Sequence, residues 1–161
     1  MKVFRQGILY AYTDGSSLNK PRRGGMGIRF IYLGENEEEQ YIDVEPDGVR
    51  DATNNVAELL ACIEALKRAN NLILPFKPHG IEIRTDSKYV VNNIDHAKYT
   101  WPQQKWHNRA GRPIDNMDQW KELIKQIRLS RCRVYFEWVK GHKNDPHNKA
   151  ADKLADQSSH G

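Results

Sequence analysis

Apolar residues change their spacing several times along the chain, and each change marks an element. Residues 8–13 (ILYAYT) are aromatic and β-rich and stop at Asp14-Gly15, which predicts a strand ending there. Residues 26–33 (MGIRFIYL) predict a second strand, after a loop with Pro21 and Gly24-Gly25. Residues 39–45 (EQYIDVE) alternate and stop at the turn signal Pro46-Asp47-Gly48, so the three can form an antiparallel meander. The period then lengthens. Val56, Leu59, Leu60, Ile63 and Leu66 fall on one helical stripe over 54–69, with Thr53 or Asn54 as its cap. Residues 81–85 (IEIRT) return to alternation and stop at Asp86, and Ser87 can cap a short helix through about Asp95. Residues 96–115 are irregular, basic and aromatic. Met117, Trp120, Leu123, Ile124 and Ile127 mark another helix, 133–139 (RVYFEWV) a fifth strand, and a last helix begins at about His147. The order βββαβααβα predicts an α/β fold, a mixed sheet with helices on its faces.

A chain of 161 residues points to one domain with a sizeable core. No apolar run approaches the roughly 20 residues of a membrane span, so no membrane is expected as partner. Two cysteines, Cys62 and Cys132, are too few and too far apart for a disulfide scaffold or a Cys-rich zinc site. With no apolar leader near Met1, the expected compartment is reducing and cytoplasmic. The net charge of +4 is uneven: residues 1–80 carry −1 and residues 81–161 carry +5. A basic half is one footprint of a polyanion partner, although mild basicity is common in soluble proteins.

The candidate chemistry lies in four acids. Asp14 and Asp86 each follow a Thr at the end of an apolar strand, in TDGS and TDSK. Carboxylates at neighbouring strand ends repel unless a cation or proton intervenes, whereas either alone reads more readily as a turn or cap residue. Glu58 shares its helical stripe with Ala61, Cys62 and Ala65, small residues that mark close packing on the sheet, so it is expected to be shielded from water. Asp152, in NKAADKLA on the last helix, reads by itself as a solvated helix residue. Four carboxylates from four elements suit hard divalent cations, Mg²⁺ or Mn²⁺ rather than zinc. Two such ions can clamp an in-line phosphoryl displacement in which a metal-activated water attacks.

Elsewhere, His142 in KGHKND sits in a Gly-flanked loop where it can move a proton or read simply as a surface histidine. Tyr99, Trp101 and Trp106 interleave with Lys98, Lys105, Arg109 and Arg112, and no acid occurs from 96 to 114. Such a segment suits a nucleic-acid strand; equally, the Trp rings can pack on neighbouring helices. Arg22-Arg23-Gly24-Gly25 lacks the order of a phosphate loop.

Taken together, these residues resemble type 1 ribonuclease H from about Leu9 to Ala155. TDGS, TNNxAEL, TDSxYV, KGH and the run from Asn148 to Asp152 stand in that family's order. The resemblance implies a five-stranded mixed sheet, with strands 1–3 antiparallel and the others added in parallel. It implies a single catalytic domain over 1–161 without a separate hybrid-binding domain. It also implies hydrolysis of the RNA strand of RNA/DNA hybrids, leaving 5′-phosphate and 3′-hydroxyl ends. The implied metal ligands are Asp14, Glu58, Asp86 and Asp152, holding two Mg²⁺ ions with Mn²⁺ as a substitute, and His142 is the mobile histidine. Asn54 and Asn55 would meet the minor groove, Thr53 and Asn116 a DNA-strand phosphate, and Lys88 the backbone near the cut. Trp101, Lys105 and Trp106 belong to the basic protrusion beside the DNA strand. A monomer is expected.

Three departures are visible. Asp51 stands where many members carry an arginine of the DNA-phosphate pocket. The protrusion reads Pro102-Gln103-Gln104-Lys105 where lysines and arginines are frequent, which predicts a weaker, less salt-sensitive complex. No hybrid-binding domain precedes the catalytic one, which predicts modest processivity. Two other readings compete: a ribonuclease H segment of a reverse transcriptase, and a non-catalytic hybrid-binding module.

Overall fold

The computed structural model describes residues 3–19, 22–141 and 144–160. Its strands are β1 (Ile8–Asn19), β2 (Arg22–Leu33), β3 (Glu39–Val44), β4 (Val49–Arg50), β5 (Gly80–Thr85) and β6 (Arg133–Trp138). Its α-helices are α1 (Asn54–Ala69), α2 (Lys88–Asp95), α3 (Met117–Leu129) and α4 (Pro146–His160), and a single π-helical turn (His96–Thr100) follows α2. The five long strands run in the order β3-β2-β1-β5-β6, and the two-residue β4 pairs with β2. β1, β2 and β3 are antiparallel, and β5 and β6 join in parallel, as the resemblance implies.

β1 does not stop at Asp14-Gly15. Its residues continue to pair with β2 from Gly15 opposite Met26 to Asn19 opposite Arg22, so Gly24 and Gly25 belong to a strand and not a loop. Asp14 therefore lies mid-strand, opposite Gly27. The turn signal of Asp-Gly is overridden because a long antiparallel partner satisfies the backbone there.

One sheet face packs against α1, α2 and α3. Leu9, Ala11, Ile28, Phe30, Ile81 and Ile83 meet Leu59, Cys62, Leu66, Val90, Trp120 and Leu123 in one core. The other face is covered by α4 over β1 and β2, where Tyr10, Tyr12, Ile31 and Val139 pack with Ala151. Beyond the reach of α4, Arg84 fills the space under the N-terminal segment. It donates to Glu82 (2.6 Å), the Tyr12 hydroxyl (3.0 Å) and the Val3 carbonyl (2.7 Å), so each nitrogen of this buried guanidinium has a partner. Among the described residues, no helix is long and apolar enough to cross a membrane.

Candidate active site

β1 and β5 are parallel neighbours with Thr13 opposite Thr85. The residues that follow, Asp14 and Asp86, are thereby brought side by side although 72 positions separate them. Glu58 arrives from the first turns of α1. A side chain on Gly15 would place its Cβ 2.3 Å from the backbone of Ala57 and Glu58, so only glycine lets the helix lie this close. The Gly15 N–H donates to the Glu58 carboxylate at 2.5 Å, which fixes its direction.

The result is a cluster in which Asp14, Glu58 and Asp86 each offer an oxygen within 4.8 Å of the others. Asp14 and Glu58 are buried and Asp86 half-buried. Burial, then the charges of Glu58 and Asp86, push the Asp14 carboxyl well above its ordinary range. Glu58 is raised by burial and by Asp86, against the Gly15 hydrogen bond that favours its charge. Asp86 is raised by burial, and a hydrogen bond from Asn148 opposes this. Without a counter-ion, burial and mutual repulsion favour proton uptake by the cluster, because three like charges in one poorly solvated place cannot all ionise. All the donor atoms are carboxylate oxygens, a set that fits a hard divalent cation. Sulfur contributes nothing: Cys62, beneath the site and 3.7 Å from the Thr13 hydroxyl, has its thiol pushed up to about 12 by burial.

The fourth acid lies at the edge of the cluster. Asp152 is exposed on α4 and is not within the three-carboxylate group, yet it reaches Asp14 as a hydrogen-bond partner and its charge adds to the upward shifts of all three. His142 lies outside the described residues. Thr53 is the cap of α1, its side chain accepting from Val56 N–H at 3.2 Å, and Asn54 and Asn55 follow it, exposed. Lys88 opens α2, with its ammonium 5.2 Å from the Trp138 ring centre.

Trp101 and Trp106 are half-buried rather than displayed. Trp101 meets Trp120 edge to face at 5.6 Å and stacks on His96 at 5.9 Å, and Lys121 lies over Trp106 at 5.5 Å, so both rings are packed against the core. Lys105 is exposed, and Asn116, left-handed at φ 58°, donates to the Tyr89 hydroxyl at 3.0 Å. Between α2 and the protrusion lies a groove of about 360 Å³, lined among others by Asn93, Trp101, Asn108 and Arg112.

Three residues that sequence reasoning did not single out touch Asp86. Asn148 is 3% exposed, and its Oδ1 has no hydrogen-bond partner among the described residues. Gly141 packs on the carboxylate so closely that a Cβ would stand 2.7 Å from Asp86 Oδ2. The indole N–H of Trp138 donates to the Asp86 carbonyl at 3.2 Å. A buried Asn in the first turn of a polar helix was the one available sign.

The family model for RNase H matches residues 6–160. Ribonuclease H of Methylococcus capsulatus is 36% identical over 149 residues, which span 92% of this chain and 87% of that one. Among solved structures, LC9-RNase H1, a type 1 RNase H with the type 2 active-site motif, is similar with a TM-score of 0.79 at 24% identity, over 99% of this chain and 75% of that one. The foamy viral protease-reverse transcriptase in complex with RNA/DNA hybrid is similar with a TM-score of 0.77 at 25% identity, over 99% of this chain and 21% of that one.

Proposed function

The chain belongs to the type 1 ribonuclease H family, and on that premise we propose how its residues divide the work. It is a hydrolase that cuts the RNA strand of RNA/DNA hybrids endonucleolytically, with use of a divalent metal. The observation that carries the reading is the meeting of Asp14, Glu58 and Asp86 within 4.8 Å. A binding module gains nothing from three acids beside phosphates.

Asp14, Glu58 and Asp86 would hold two Mg²⁺ ions, with Asp152 completing the set from α4. When bound, such ions supply a nucleophilic water at neutral pH and neutralise charge on the phosphate. Asn148 orients Asp86 and favours its charged form through its hydrogen bond, and Gly15 does the same for Glu58. Cleavage of the P–O3′ bond leaves 5′-phosphate and 3′-hydroxyl ends, and His142 moves the proton that the departing 3′-oxygen needs. Asn54 and Asn55 read the minor groove, where the 2′-hydroxyl marks RNA. Lys88 contacts the backbone near the cut. Thr53, Asn116, Trp101, Lys105 and Trp106 take the DNA strand. The catalytic unit is one domain acting as a monomer.

Four end-labelled substrates test this: RNA/DNA hybrid, duplex RNA, duplex DNA and single-stranded RNA, each with Mg²⁺, with EDTA, and with Asp14→Asn. Cutting confined to the RNA strand of the hybrid, dependent on Mg²⁺ and lost in Asp14→Asn, is the expected result. Tight hybrid binding without cutting in Mg²⁺ or Mn²⁺ would overturn it.

A further inference from the structure

Asn148 and Asp152 both reach the site from α4, so the place of this helix sets the geometry around Asp86. Asp145 caps it: its carboxylate accepts from the N–H groups of His147 (3.0 Å) and Asn148 (3.3 Å). A second set of contacts acts from outside the helix. The His147 side chain is 12% exposed and lies between two charged residues of the sheet. Its Nδ1 is 3.3 Å from the Arg29 guanidinium on β2, and its Nε2 is 2.9 Å from the Glu39 carboxylate on β3.

A guanidinium only donates and an ionised carboxylate only accepts, so Nδ1 accepts and Nε2–H donates. With that arrangement one ring meets both partners at once. Arg29 is itself fixed by two bonds to Asp43, at 2.7 and 2.9 Å, and cannot readily follow a moving ring. The imidazole also packs against Phe4 at 5.6 Å and Tyr12 at 5.5 Å between ring centres. The first turn of α4 is thus held on four sides. The next residue, Asn148, is buried and hydrogen-bonded to Asp86.

We propose that His147 is a positioning residue for the ribonuclease reaction, locking the first turn of α4 to β2 and β3 so that the Asn148 carboxamide stays on Asp86. The proposal rests on the function inferred above and concerns the metal-holding geometry of that same site.

The test uses His147→Phe, which keeps a ring against Phe4 and Tyr12 and removes both polar contacts. Steady-state cleavage of the hybrid gives kcat and KM, and calorimetry without substrate gives the Mg²⁺ affinity. Expected are a fall in kcat and a loss of Mg²⁺ affinity of about tenfold each, at the lower end for groups supporting a metal site, with KM for the hybrid within roughly twofold. His147→Asn, whose Oδ1 can still accept from Arg29, should recover part of both losses. Ile42→Ala on β3, whose side chain packs into the core on the opposite sheet face, should lower Tm and leave kcat unchanged. Wild-type kcat and Mg²⁺ affinity in His147→Phe would overturn the proposal, as would an equal loss in Ile42→Ala. If His147→Phe does not fold, Arg29→Met with the same two readouts decides the matter. A wild-type protein that binds Mg²⁺ but does not cut hybrid would count against the ribonuclease reading, and the Mg²⁺ affinities of the variants would still judge this one.

Discussion

Gly15 and Glu58 are joined backbone to carboxylate across the seam between β1 and α1, and the missing side chain of the first is what admits the second. The contact sets the distance between a helix-borne acid and a strand-borne one. Gly15→Ala should therefore damage function and stability together. The added methyl meets main-chain atoms, not a flexible side chain, so α1 must shift. We expect a loss of about 1–3 kcal/mol, the range for overpacking, and cleavage reduced more steeply than the folded fraction explains. Thermal melts and kcat measured on the same preparation check this.

The carboxylate cluster gives the metal-free protein a characteristic pH dependence. Asp14, Glu58 and Asp86 all have raised carboxyl values, against ordinary values of 3.8 for Asp and 4.5 for Glu. The folded state therefore binds more protons than the unfolded state between those values and the raised ones. This contribution is fully present below the unfolded values and is lost as pH rises through the folded ones. In EDTA, Tm should fall from about pH 5 to about pH 9, and saturating Mg²⁺ should remove most of the fall, because cations replace the protons. A Tm in EDTA that rises over this range would contradict the cluster.

Asp14→Asn replaces a buried carboxyl that must take up a proton to fold by an amide that need not. The metal-free variant should be more stable than wild type at neutral pH, by at least the roughly 1.4 kcal/mol of a single pKa unit. Its hybrid binding should persist while cleavage is lost. Denaturant unfolding in EDTA, paired with a gel-shift assay, reads both.

Arg84 offers a contrasting variant on the far sheet face. Arg84→Met leaves Glu82 and the Tyr12 hydroxyl without their buried partner and abolishes the stacking on Tyr10 at 4.3 Å. A loss of about 3–5 kcal/mol is expected, as for breaking other buried pairs. The kcat of the folded fraction should fall less than in His147→Phe, since Arg84 touches Phe4 and Tyr12 but neither the carboxylates nor the polar contacts of His147. A kcat as low as that of His147→Phe, at a temperature where the variant is fully folded, would contradict this separation.

Exposed cations of the protrusion should act through binding alone. Lys105→Ala and Arg112→Ala are each expected to raise KM for the hybrid and leave kcat intact. Each lost phosphate contact should reduce the slope of log affinity against log salt by about 0.7–0.9. Titrating hybrid binding at several KCl concentrations measures the slope, and a slope equal to wild type would remove that residue from the interface.

The sequence by itself determined the order and kind of the elements, because each rests on local period: two for residues 81–85, near 3.6 for Val56 to Leu66. It also pointed to Asp14, Glu58 and Asp86, which the structure brings within 4.8 Å, through motifs that stand in one family's order. Glu58 was legible as shielded because small residues share its stripe, and the structure places it 9% exposed. Tertiary structure alone decided how far β1 runs, since the pairing of residues 15–19 with β2 is not written in their own turn-forming side chains. It alone brought Asp14 beside Asp86, through the register of two parallel strands, and turned Asn148, Gly141 and Trp138 toward Asp86. Trp101 and Trp106 were open to two readings for the same reason. Local sequence fixes which residues can lie on one face of an element, but what that face meets depends on how separate elements dock, a relation that spacing along the chain does not encode.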